Sequence, residues 1–536
     1  MKPPYSRTVF ELLCEKGDAA PQRAAAIAAG AQLTYAELAD RAWRVAAHMR
    51  ARGVRRGDRV GLLSNNRIEW LEIFFGAAAL GAIVVPISTW STASELEFLL
   101  NDSQVRWLFA MERFAERAFI ESLLKLIADG KLALLENVVS IDGHARNGIA
   151  AYAEIAQGDS RSPIAPGDGP SAADTLVILY TSGSSDRPKA VPLNQFAAIE
   201  NGFNIGERQG LVPDDRVLVS IPLFWAYGAV NALPAVLSHG ATLVLQSHFE
   251  AAGALELIER YRCTAIYTLP AITNALVAHP AFRRERTASL RTGVTIGAPQ
   301  DIIKTAQELG ATHICNIYGG TENYGNCCVT PHDWPLERRA ASQGPQLPGV
   351  SMRIRDPVSG ELVSAGAIGE IEVRGYLTAG YAGASARLNA EAFTRDGYFR
   401  TGDLGSLDET GALHFCGRSS EMIKRSGINV SPAEVENALL LHADIAMAGV
   451  TGVADAGRGE IIVAYVTAKP GHAIACADVL AHCHALLSRY KIPERLIITD
   501  HLPLTVTGKL MRLELKHMAT IMVDDEARAQ AGDKPS

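Results

Sequence analysis

Short apolar segments that alternate with helical segments constrain the fold of this chain more than any other feature. Residues 59–63 form an apolar segment of strand length, a helical segment through Trp70 and Phe74 follows, and residues 83–85 are apolar again. This order of strand, helix and strand predicts a parallel sheet whose faces are covered by helices. Residues 176–180 are a further fully apolar strand, and the alternation continues to about residue 269. The pattern therefore predicts an α/β fold.

Capping boxes set the beginnings of several helices. Thr34 is followed three positions later by Glu37, and Thr92 by Glu95, which is the spacing at which two side chains satisfy the free N–H groups of a helix start. The first box predicts a helix that runs to about Arg52. A further helix is expected after Ser431, where a proline follows the capping serine.

The length and the changes of pattern predict several domains. At roughly 100 to 200 residues per domain, 536 residues are too many for one core. Residues 156–173 are rich in Gly, Pro, Ser and Asp and read as a surface connector, and about 350–416 read as a β-rich subdomain. We expect an N-terminal lobe over residues 1–418, a C-terminal domain over 419–522 and a frayed polar tail over 523–536.

Composition excludes some classes of protein. The net charge of −7 offers no basic excess for holding nucleic acid. The N-terminus lacks the apolar stretch of a secretory signal, and the longest apolar run, residues 73–87, is shorter than the roughly 20 residues that span a bilayer. Eight cysteines without a CxxC pair suit a reducing compartment. A cytoplasmic enzyme without a membrane span is therefore expected.

Residues 180–189 combine hydroxyl side chains, a glycine and a lysine after a strand. Hydroxyls and exposed N–H groups on such a loop can cradle phosphate oxygens, and an ammonium group can neutralise their charge. Pro188 stands where the P-loop of NTPases requires glycine, so that loop is excluded. Taken alone, the segment could equally be a turn with a solvated lysine.

Residues 316–322 place a Gly-Gly turn after a strand. Glu322 in that turn could bind Mg²⁺ together with substrate phosphates, and Tyr318 could offer a ring face to a base. A hairpin with an incidental acid is the alternative.

A third group of motifs comprises Thr401-Gly402-Asp403, Gly417-Arg418 and the segment 502–512. Asp403 could accept hydrogen bonds from ribose hydroxyls, and Lys509 could reach a carboxylate and a phosphate. Each of these, by itself, also has an ordinary structural explanation.

Together these blocks resemble the adenylate-forming superfamily of acyl-CoA synthetases, firefly luciferases and peptide-synthetase adenylation domains. The matching motifs are a strand with Thr-Ser-Gly and Pro-Lys, Tyr-Gly-x-Thr-Glu, Thr-Gly-Asp, Gly-Arg and Pro-x-Thr-x-x-Gly-Lys-x-x-Arg. The resemblance covers nearly the whole chain, from the Thr34 capping box to Arg512. The resemblance implies a large N-terminal lobe of doubly wound βαβ subdomains with a β-rich subdomain, and a small mobile α+β C-terminal domain.

The resemblance also implies a reaction and its partners. A carboxylic acid attacks the α-phosphate of ATP to give an acyl-adenylate and pyrophosphate, and the thiol of coenzyme A then takes the acyl group. Mg²⁺ and lysines offset the repulsion between the anions. Fatty or ring-bearing acids are expected substrates. The alternatives are transfer to a free-standing carrier protein, or a degenerate nucleotide-binding homologue without turnover.

Individual roles follow from the matching positions. The residues expected to take part in catalysis are Lys509, Thr321, Glu322 and Lys189, and those expected to bind Mg²⁺ are Glu322 and Thr181. The remaining contacts to ATP or AMP are expected from Ser182, Gly183, Ser184, Ser185, Gly297, Ala298, Pro299, Asn316, Tyr318, Gly319, Asp403 and Arg418. The acyl pocket is expected at Phe224, Trp225, Tyr227, Gly228 and Gly320, and the channel for coenzyme A at Lys424, Ser426 and Gly427.

Some positions depart from the family pattern. Asp186 and Ala190 replace glycines of the phosphate loop, and Ser420 stands at the hinge, where Asp or Lys is typical.

Trp225 stands where amino-acid-activating relatives have an aspartate that pairs with the substrate ammonium. Because an unpaired buried ammonium is costly, amino acids are disfavoured substrates. Trp225 itself could gate the acyl channel or simply belong to the core. The charged residues Lys189, Glu322, Asp403, Arg418 and Lys509 are all retained, which argues against the degenerate homologue.

Overall fold

The computed structural model describes residues 2–156, 169–181, 188–383, 386–425, 428–455, 458–505 and 510–532. The chain divides into two compact units. The first contains Met1–Ser351 and Val373–Phe399, and the second contains Met352–Glu372 and Arg400–Ser536. The α/β class expected from the sequence is confirmed in the two large sheets of the first unit.

One sheet of the first unit is built around six parallel strands with an antiparallel strand at each end. In spatial order its strands are Cys328–Val329, His313–Tyr318, Thr292–Thr295, Ala265–Tyr267, Arg216–Val219, Thr242–Leu245, Ala24–Ala28 and Ala31–Thr34. The helical segments between them are Gly228–Ala232, Leu233–Ser238, Ala251–Tyr261, Pro270–Ala278, Pro299–Lys304 and Thr305–Leu309. Parallel strands require such crossover connections.

The other large sheet of the first unit carries the phosphate-loop strands at one edge. In spatial order its strands are Lys189–Asn194, Thr175–Thr181, Ile83–Ile87, Arg59–Leu63, Trp107–Ala110, Asn137–Ser140 and Ala150–Ala151. Only the first two of these pair antiparallel. The helices that connect or follow them are Tyr35–Ala51, Ile68–Ala79, Ala93–Asp102, Phe119–Ala128, Tyr152–Ala156 and Gln195–Gln209. Apolar side chains from strands and helices, such as Leu108, Phe119 and Leu123, form a buried cluster on this sheet.

The predicted capping boxes are confirmed. The side chain of Thr34 accepts the N–H of Glu37 at 3.2 Å while Glu37 accepts the N–H of Thr34 at 2.8 Å, and the helix runs over Tyr35–Ala51. Thr92 and Glu95 form the same reciprocal pair ahead of Ala93–Asp102. The remaining short elements of the first unit are Val9–Ala19, Arg113–Phe114, Arg117–Ala118, Arg284–Thr287, Thr321–Asn323, Leu336–Ala341, Gly344–Pro345 and Ala386–Ala392.

The second unit contains most of one sheet and the whole of another. The strands Ala412–Arg418, Phe399–Leu407, Gly369–Arg374 and Ser351–Arg355 lie in that order and form the β-rich part that the sequence predicts. The other sheet has the order Ile428–Val430, Ile423–Arg425, Gly459–Ala468 and Ile445–Asp455, with Arg495–Ile498 parallel to Gly459–Ala468. Its helical elements are Ser419–Glu421, Pro432–Leu440, Cys476–Leu486, Arg489–Lys491 and Arg512–Gly532.

Two features of the structure bear on the expected domain limits, which stay predictions. The β-rich strands group with the C-terminal elements, because the helix Pro432–Leu440 contacts the strand Ala412–Arg418 and Ser431 donates a hydrogen bond to the Cys416 carbonyl. The last helix also continues to Gly532, where the sequence suggested a frayed tail. Its alanines, glutamates and arginines have high helix propensity, which explains the extension. Most of the connector, residues 157–168, lies outside the described residues.

Candidate active site

Two antiparallel strands deliver the two ends of the predicted phosphate loop side by side. Thr181, the last residue of Thr175–Thr181, lies directly opposite Lys189, the first residue of Lys189–Asn194. Both residues are half-buried. The predicted phosphate ligands Ser182, Gly183, Ser184 and Ser185, together with Asp186, lie outside the described residues. The structure therefore places the two flanking residues, and the roles of the loop stay predictions.

The Gly-Gly turn is fixed next to this strand pair by side-chain hydrogen bonds. After the strand His313–Tyr318, the side chain of Asn323 accepts the N–H of Gly320 at 2.7 Å and closes a short helical turn over Thr321–Asn323. Tyr324, which follows in a left-handed conformation with φ of 60°, is fully buried, and its hydroxyl oxygen accepts the N–H of Asn194 at 2.7 Å. Thr321 and Glu322 are thereby held at a defined distance from the strand that begins with Lys189.

A tyrosine that sequence reasoning missed links Lys189 to Glu322. The Tyr381 hydroxyl donates a hydrogen bond to one carboxylate oxygen of Glu322 at 2.9 Å, and the Lys189 ammonium lies 4.9 Å from the centre of the same ring. Tyr381 is only 7% exposed. Burial, and then the charge of Glu322, raise the pKa of Tyr381 well above its ordinary value, so its hydroxyl remains a donor. No local pattern points to it, because its two partners lie 59 and 192 positions away in the sequence.

The residues around Glu322 fit a Mg²⁺ ion that is held partly by substrate phosphates. Among the described residues, Tyr381 is the only side chain bonded to the Glu322 carboxylate, so its second oxygen is available. The described part of the chain contains no group of three or more His, Cys, Asp or Glu side chains suited to a metal. Mg²⁺ commonly uses one or two carboxylates with phosphates and water, so a single carboxylate here is the arrangement expected. Thr181 as a second ligand stays a prediction.

A cavity of about 290 Å³ lies beside the Gly-Gly turn. It is lined by Leu179, Tyr180, Phe224, Trp225, Ala226, Tyr227, Leu269, Ile296, Ile317, Gly319, Gly320, Thr321, Gly325 and Asn326. Four predicted acyl-pocket residues, Phe224, Trp225, Tyr227 and Gly320, are in this lining. Gly228 is not, and its lack of a side chain serves packing, because a Cβ there would lie 2.5 Å from the Pro222 carbonyl oxygen.

The cavity wall is mostly apolar, four of its lining residues (Tyr180, Phe224, Trp225 and Tyr227) are aromatic, and none of the lining residues carries a charge. The rings of Trp90, Phe224 and Trp225 contact one another edge to face, with centroids 5.4 to 6.2 Å apart. The Tyr227 hydroxyl donates toward the carbonyl oxygens of Val294 at 3.0 Å and Thr268 at 3.3 Å, so its ring serves as wall. Sequence reasoning missed Trp90, although its place just after the strand Ile83–Ile87 was a usable signal.

The residues predicted to border the base differ in their exposure. Gly297 has φ of 155°, which favours glycine, and the next residue, Ala298, donates its N–H to Asp301 at 2.9 Å just before the helix Pro299–Lys304. Asn316 is fully buried, and its amide bonds the Ser342 carbonyl and the Ile317 N–H, both at 2.9 Å. Tyr318 is 6% exposed. Asn316 therefore supports the strand with its side chain, and the stacking role of Tyr318 stays a prediction.

The second unit carries the remaining predicted residues. Asp403 and Arg418 face each other across two paired strands, and their side chains form an ion pair at 3.5 Å. Lys424 is exposed in the strand Ile423–Arg425. Lys509, Ser426 and Gly427 lie outside the described residues. The structure thus brings Asp403 and Arg418 together as the resemblance implies, and their contact with a ribose stays a prediction.

Comparisons with known proteins cover both units. The sequence matches the AMP-binding enzyme family over residues 14–382 and the AMP-binding enzyme C-terminal domain over residues 434–509. It is 34% identical over 491 residues to the indoleacetate–CoA ligase of Aromatoleum aromaticum, covering 91% of this chain and 93% of that protein. The fold is similar to ATP-bound MatB from Rhodopseudomonas palustris, with a TM-score of 0.84, 28% identity and coverage of 95% of this chain and 98% of that one. It is also similar to the anthranilate CoA ligase AuaEII in complex with anthranoyl-AMP, with a TM-score of 0.86, 26% identity and coverage of 98% and 100%.

Proposed function

The chain belongs to the AMP-binding enzyme family, and from this membership we propose that it is an acid–CoA ligase that works through an acyl-adenylate. One observation carries the proposal furthest. Gly320 and Thr321 line the apolar cavity, and the next residue, Glu322, is bonded to the tyrosine that contacts Lys189. An acyl group in the cavity would therefore present its carboxylate beside the groups that suit a polyphosphate.

The chemistry begins with a repulsion between anions. A carboxylate oxygen attacks the α-phosphorus of ATP, the bond to the β-phosphate oxygen breaks, and pyrophosphate leaves. We propose that Lys189 neutralises phosphate oxygens and that Thr321 donates a hydrogen bond to them as charge develops, which lowers the barrier most in a site sheltered from water. Bound Mg²⁺ would supply further positive charge at the phosphates, with Glu322 as its protein ligand.

The second half-reaction transfers the acyl group. The coenzyme A thiolate attacks the carbonyl carbon of the acyl-adenylate, and AMP leaves with its phosphate oxygen. We propose that Lys509 acts in adenylation, that Asp403 and Arg418 bind the ribose, and that Lys424, Ser426 and Gly427 border the path of the thiol. The resemblance of their motifs to the family pattern supports these roles, as does the pairing of Asp403 with Arg418.

The cavity favours a compact apolar acid. Its volume of about 290 Å³ is at the lower end of the roughly 300 to 1,000 Å³ of small-molecule sites, which favours one ring or a medium-length chain over a long acyl chain. Because no lining residue is charged, an amino acid would bury its ammonium without a partner. The aromatic wall adds edge-to-face contacts that a ring-bearing acid can use and an aliphatic acid cannot. We therefore propose a ring-bearing acid as the preferred substrate, with fatty acids second.

The location of the protein is a separate question. None of the described helices has the length and apolar character needed to cross a membrane. All eight cysteines carry free thiols. Since structural disulfides mark oxidising compartments, the free thiols support a cytoplasmic location, which we propose.

A single assay tests the function. The protein is incubated with ATP, Mg²⁺ and a panel of ring-bearing, medium-chain, long-chain and amino acids, with and without coenzyme A, and pyrophosphate, AMP and thioester are measured. We expect pyrophosphate release that depends on a ring-bearing acid, and a thioester only when coenzyme A is present. Adenylate formation without any thioester would favour a carrier protein as acceptor. Release from no acid in the panel would refute the proposed function.

A further inference from the structure

We propose that Tyr381 is a positioning residue that fixes both charged partners of the ATP phosphates, the Glu322 carboxylate through its hydroxyl and the Lys189 ammonium through its ring. The proposal rests on the proposed function, since it assigns a part of the ATP site. Its two contacts lie at the two ends of one buried side chain: 2.9 Å from the hydroxyl to Glu322, and 4.9 Å from the ring centre to the ammonium.

The backbone around Tyr381 is tied to the elements that carry its two partners. The N–H of Ala382 donates to the carbonyl of Ala190 at 3.0 Å, one residue after Lys189. The N–H of Thr378 donates to the Glu322 carbonyl at 2.8 Å, and the Thr378 hydroxyl donates to the Pro192 carbonyl at 2.8 Å. The tyrosine is therefore held against the phosphate-loop strand and the Gly-Gly turn at the same time.

The side chain of Asn389 fixes the backbone of the tyrosine. Its carbonyl oxygen accepts the N–H of Tyr381 at 2.9 Å, and its amide donates to the Tyr381 carbonyl at 3.3 Å. With its backbone N–H and carbonyl both bonded and the residue only 7% exposed, the hydroxyl has little freedom to leave Glu322. A rigid donor in this position orients the carboxylate, so that one oxygen is occupied and the other would be left to hold a cation.

The two ends of Tyr381 affect two different contributions to the affinity for the nucleotide. The hydroxyl acts on the carboxylate and so on the part of binding that depends on Mg²⁺. The ring attracts the ammonium through its negative face, and so acts on the contact between Lys189 and phosphate whether or not the metal is present. Losing a group that orients a metal ligand typically lowers the affinity for the metal about 10- to 100-fold.

Two variants separate these terms. Tyr381→Phe removes the hydroxyl and keeps the ring, and Tyr381→Leu removes both. The probe is α,β-methylene ATP, which cannot be cleaved at the reacting bond, titrated by calorimetry in Mg²⁺ and in EDTA. For Tyr381→Phe we expect the Kd in Mg²⁺ to rise about tenfold while the Kd in EDTA stays at the wild-type value. For Tyr381→Leu we expect both to rise.

A matched control and the opposing outcomes make the test decisive. Tyr376→Phe removes a hydroxyl from the same segment, at a ring that in the described residues contacts neither Lys189 nor Glu322, and should leave both Kd values unchanged. If Tyr381→Phe, which conserves the ring volume, binds the analogue like the wild type in Mg²⁺, the assigned role is overturned. Equal weakening in Mg²⁺ and EDTA overturns it too. If the wild-type protein has the same Kd for the analogue in Mg²⁺ and in EDTA, the proposed function is overturned instead.

Discussion

Gly319 and Gly320 are adjacent residues of the cavity lining, yet the structure predicts opposite results when each is changed to alanine. A Cβ on Gly319 would lie 2.5 Å from the carbonyl oxygen of Gly325 and 2.6 Å from Cα of Asn326, so the backbone would have to move. A Cβ on Gly320 would meet only one Glu322 carboxylate oxygen, at 3.3 Å. Gly320 is also extended, with φ of −141° and ψ of −179°, a conformation that alanine adopts without strain.

The difference in stability between the two variants follows from these contacts. Both substitutions restrict the unfolded chain equally, which favours folding by about 0.4 to 1 kcal/mol when the native backbone is compatible. Overpacking against backbone costs about 1 to 3 kcal/mol, and only Gly319→Ala incurs it. The entropic gain cancels in the comparison. We therefore expect Gly319→Ala to be less stable than Gly320→Ala by about 1 to 3 kcal/mol, with Gly320→Ala at or slightly above the wild type.

Activity should not follow stability in this pair. The new methyl group of Gly320→Ala takes up part of the cavity and crowds Glu322, so kcat/KM for the best ring-bearing acid should fall roughly tenfold, as expected for about one methylene of misfit. Urea unfolding and pyrophosphate release, measured on the same preparations, test both expectations. If the two variants have the same free energy of unfolding, the reasoning from these distances is refuted.

Two further predictions concern the cavity wall and the response to pH. Trp225→Ala should lower kcat/KM for a single-ring acid roughly tenfold and raise it for a two-ring acid, because it opens the cavity and removes an edge-to-face partner of Trp90. Trp334→Ala, whose ring contacts Arg338, is the control, and an unchanged order of substrates would contradict a wall role for Trp225. Burial, and then the charge of Arg52, lower the pKa of His48 from 6.5 to about 4. Its folded pKa lies below the unfolded one, so the unfolded chain takes up the proton first, and stability should fall between about pH 6.5 and 4. Urea unfolding at pH 7 and pH 5 should show a smaller loss for His48→Gln than for the wild type, and an equal loss would contradict the assignment.

The elements that hold the site were predictable because their signals are local. The reciprocal bonds of Thr34 with Glu37 follow from a spacing of three residues, and the apolar strands follow from runs of side chains that cannot remain in water. The placing of Thr181 beside Lys189 could also be anticipated, since a strand, a short loop and a second strand bring the loop ends together. These features depend on residues close in sequence.

The residues that sequence reasoning missed act over long separations. Tyr381 reaches Glu322 and Lys189, and Trp90 reaches Phe224 and Trp225, only because the sheets bring distant segments together. Asn316, whose place beside the base stays a prediction, shows a second difficulty. A polar side chain at the end of a strand suggests a ligand, but here its amide satisfies the Ser342 carbonyl and the Ile317 N–H inside the protein. The periodicity of a sequence does not show whether a polar side chain binds a ligand or satisfies backbone groups inside the protein.

The hydrogen bonds of Thr378 and Ala382 to the strand Lys189–Asn194 also affect whether the edge of the sheet can pair with another chain. That strand stands at the rim of its sheet, and an unprotected rim offers a row of unpaired peptide groups to any other extended chain. By bonding to the carbonyls of Ala190 and Pro192, the later segment occupies part of this row. The same few hydrogen bonds that hold a tyrosine for the nucleotide thus also shield the enzyme from joining its neighbours edge to edge.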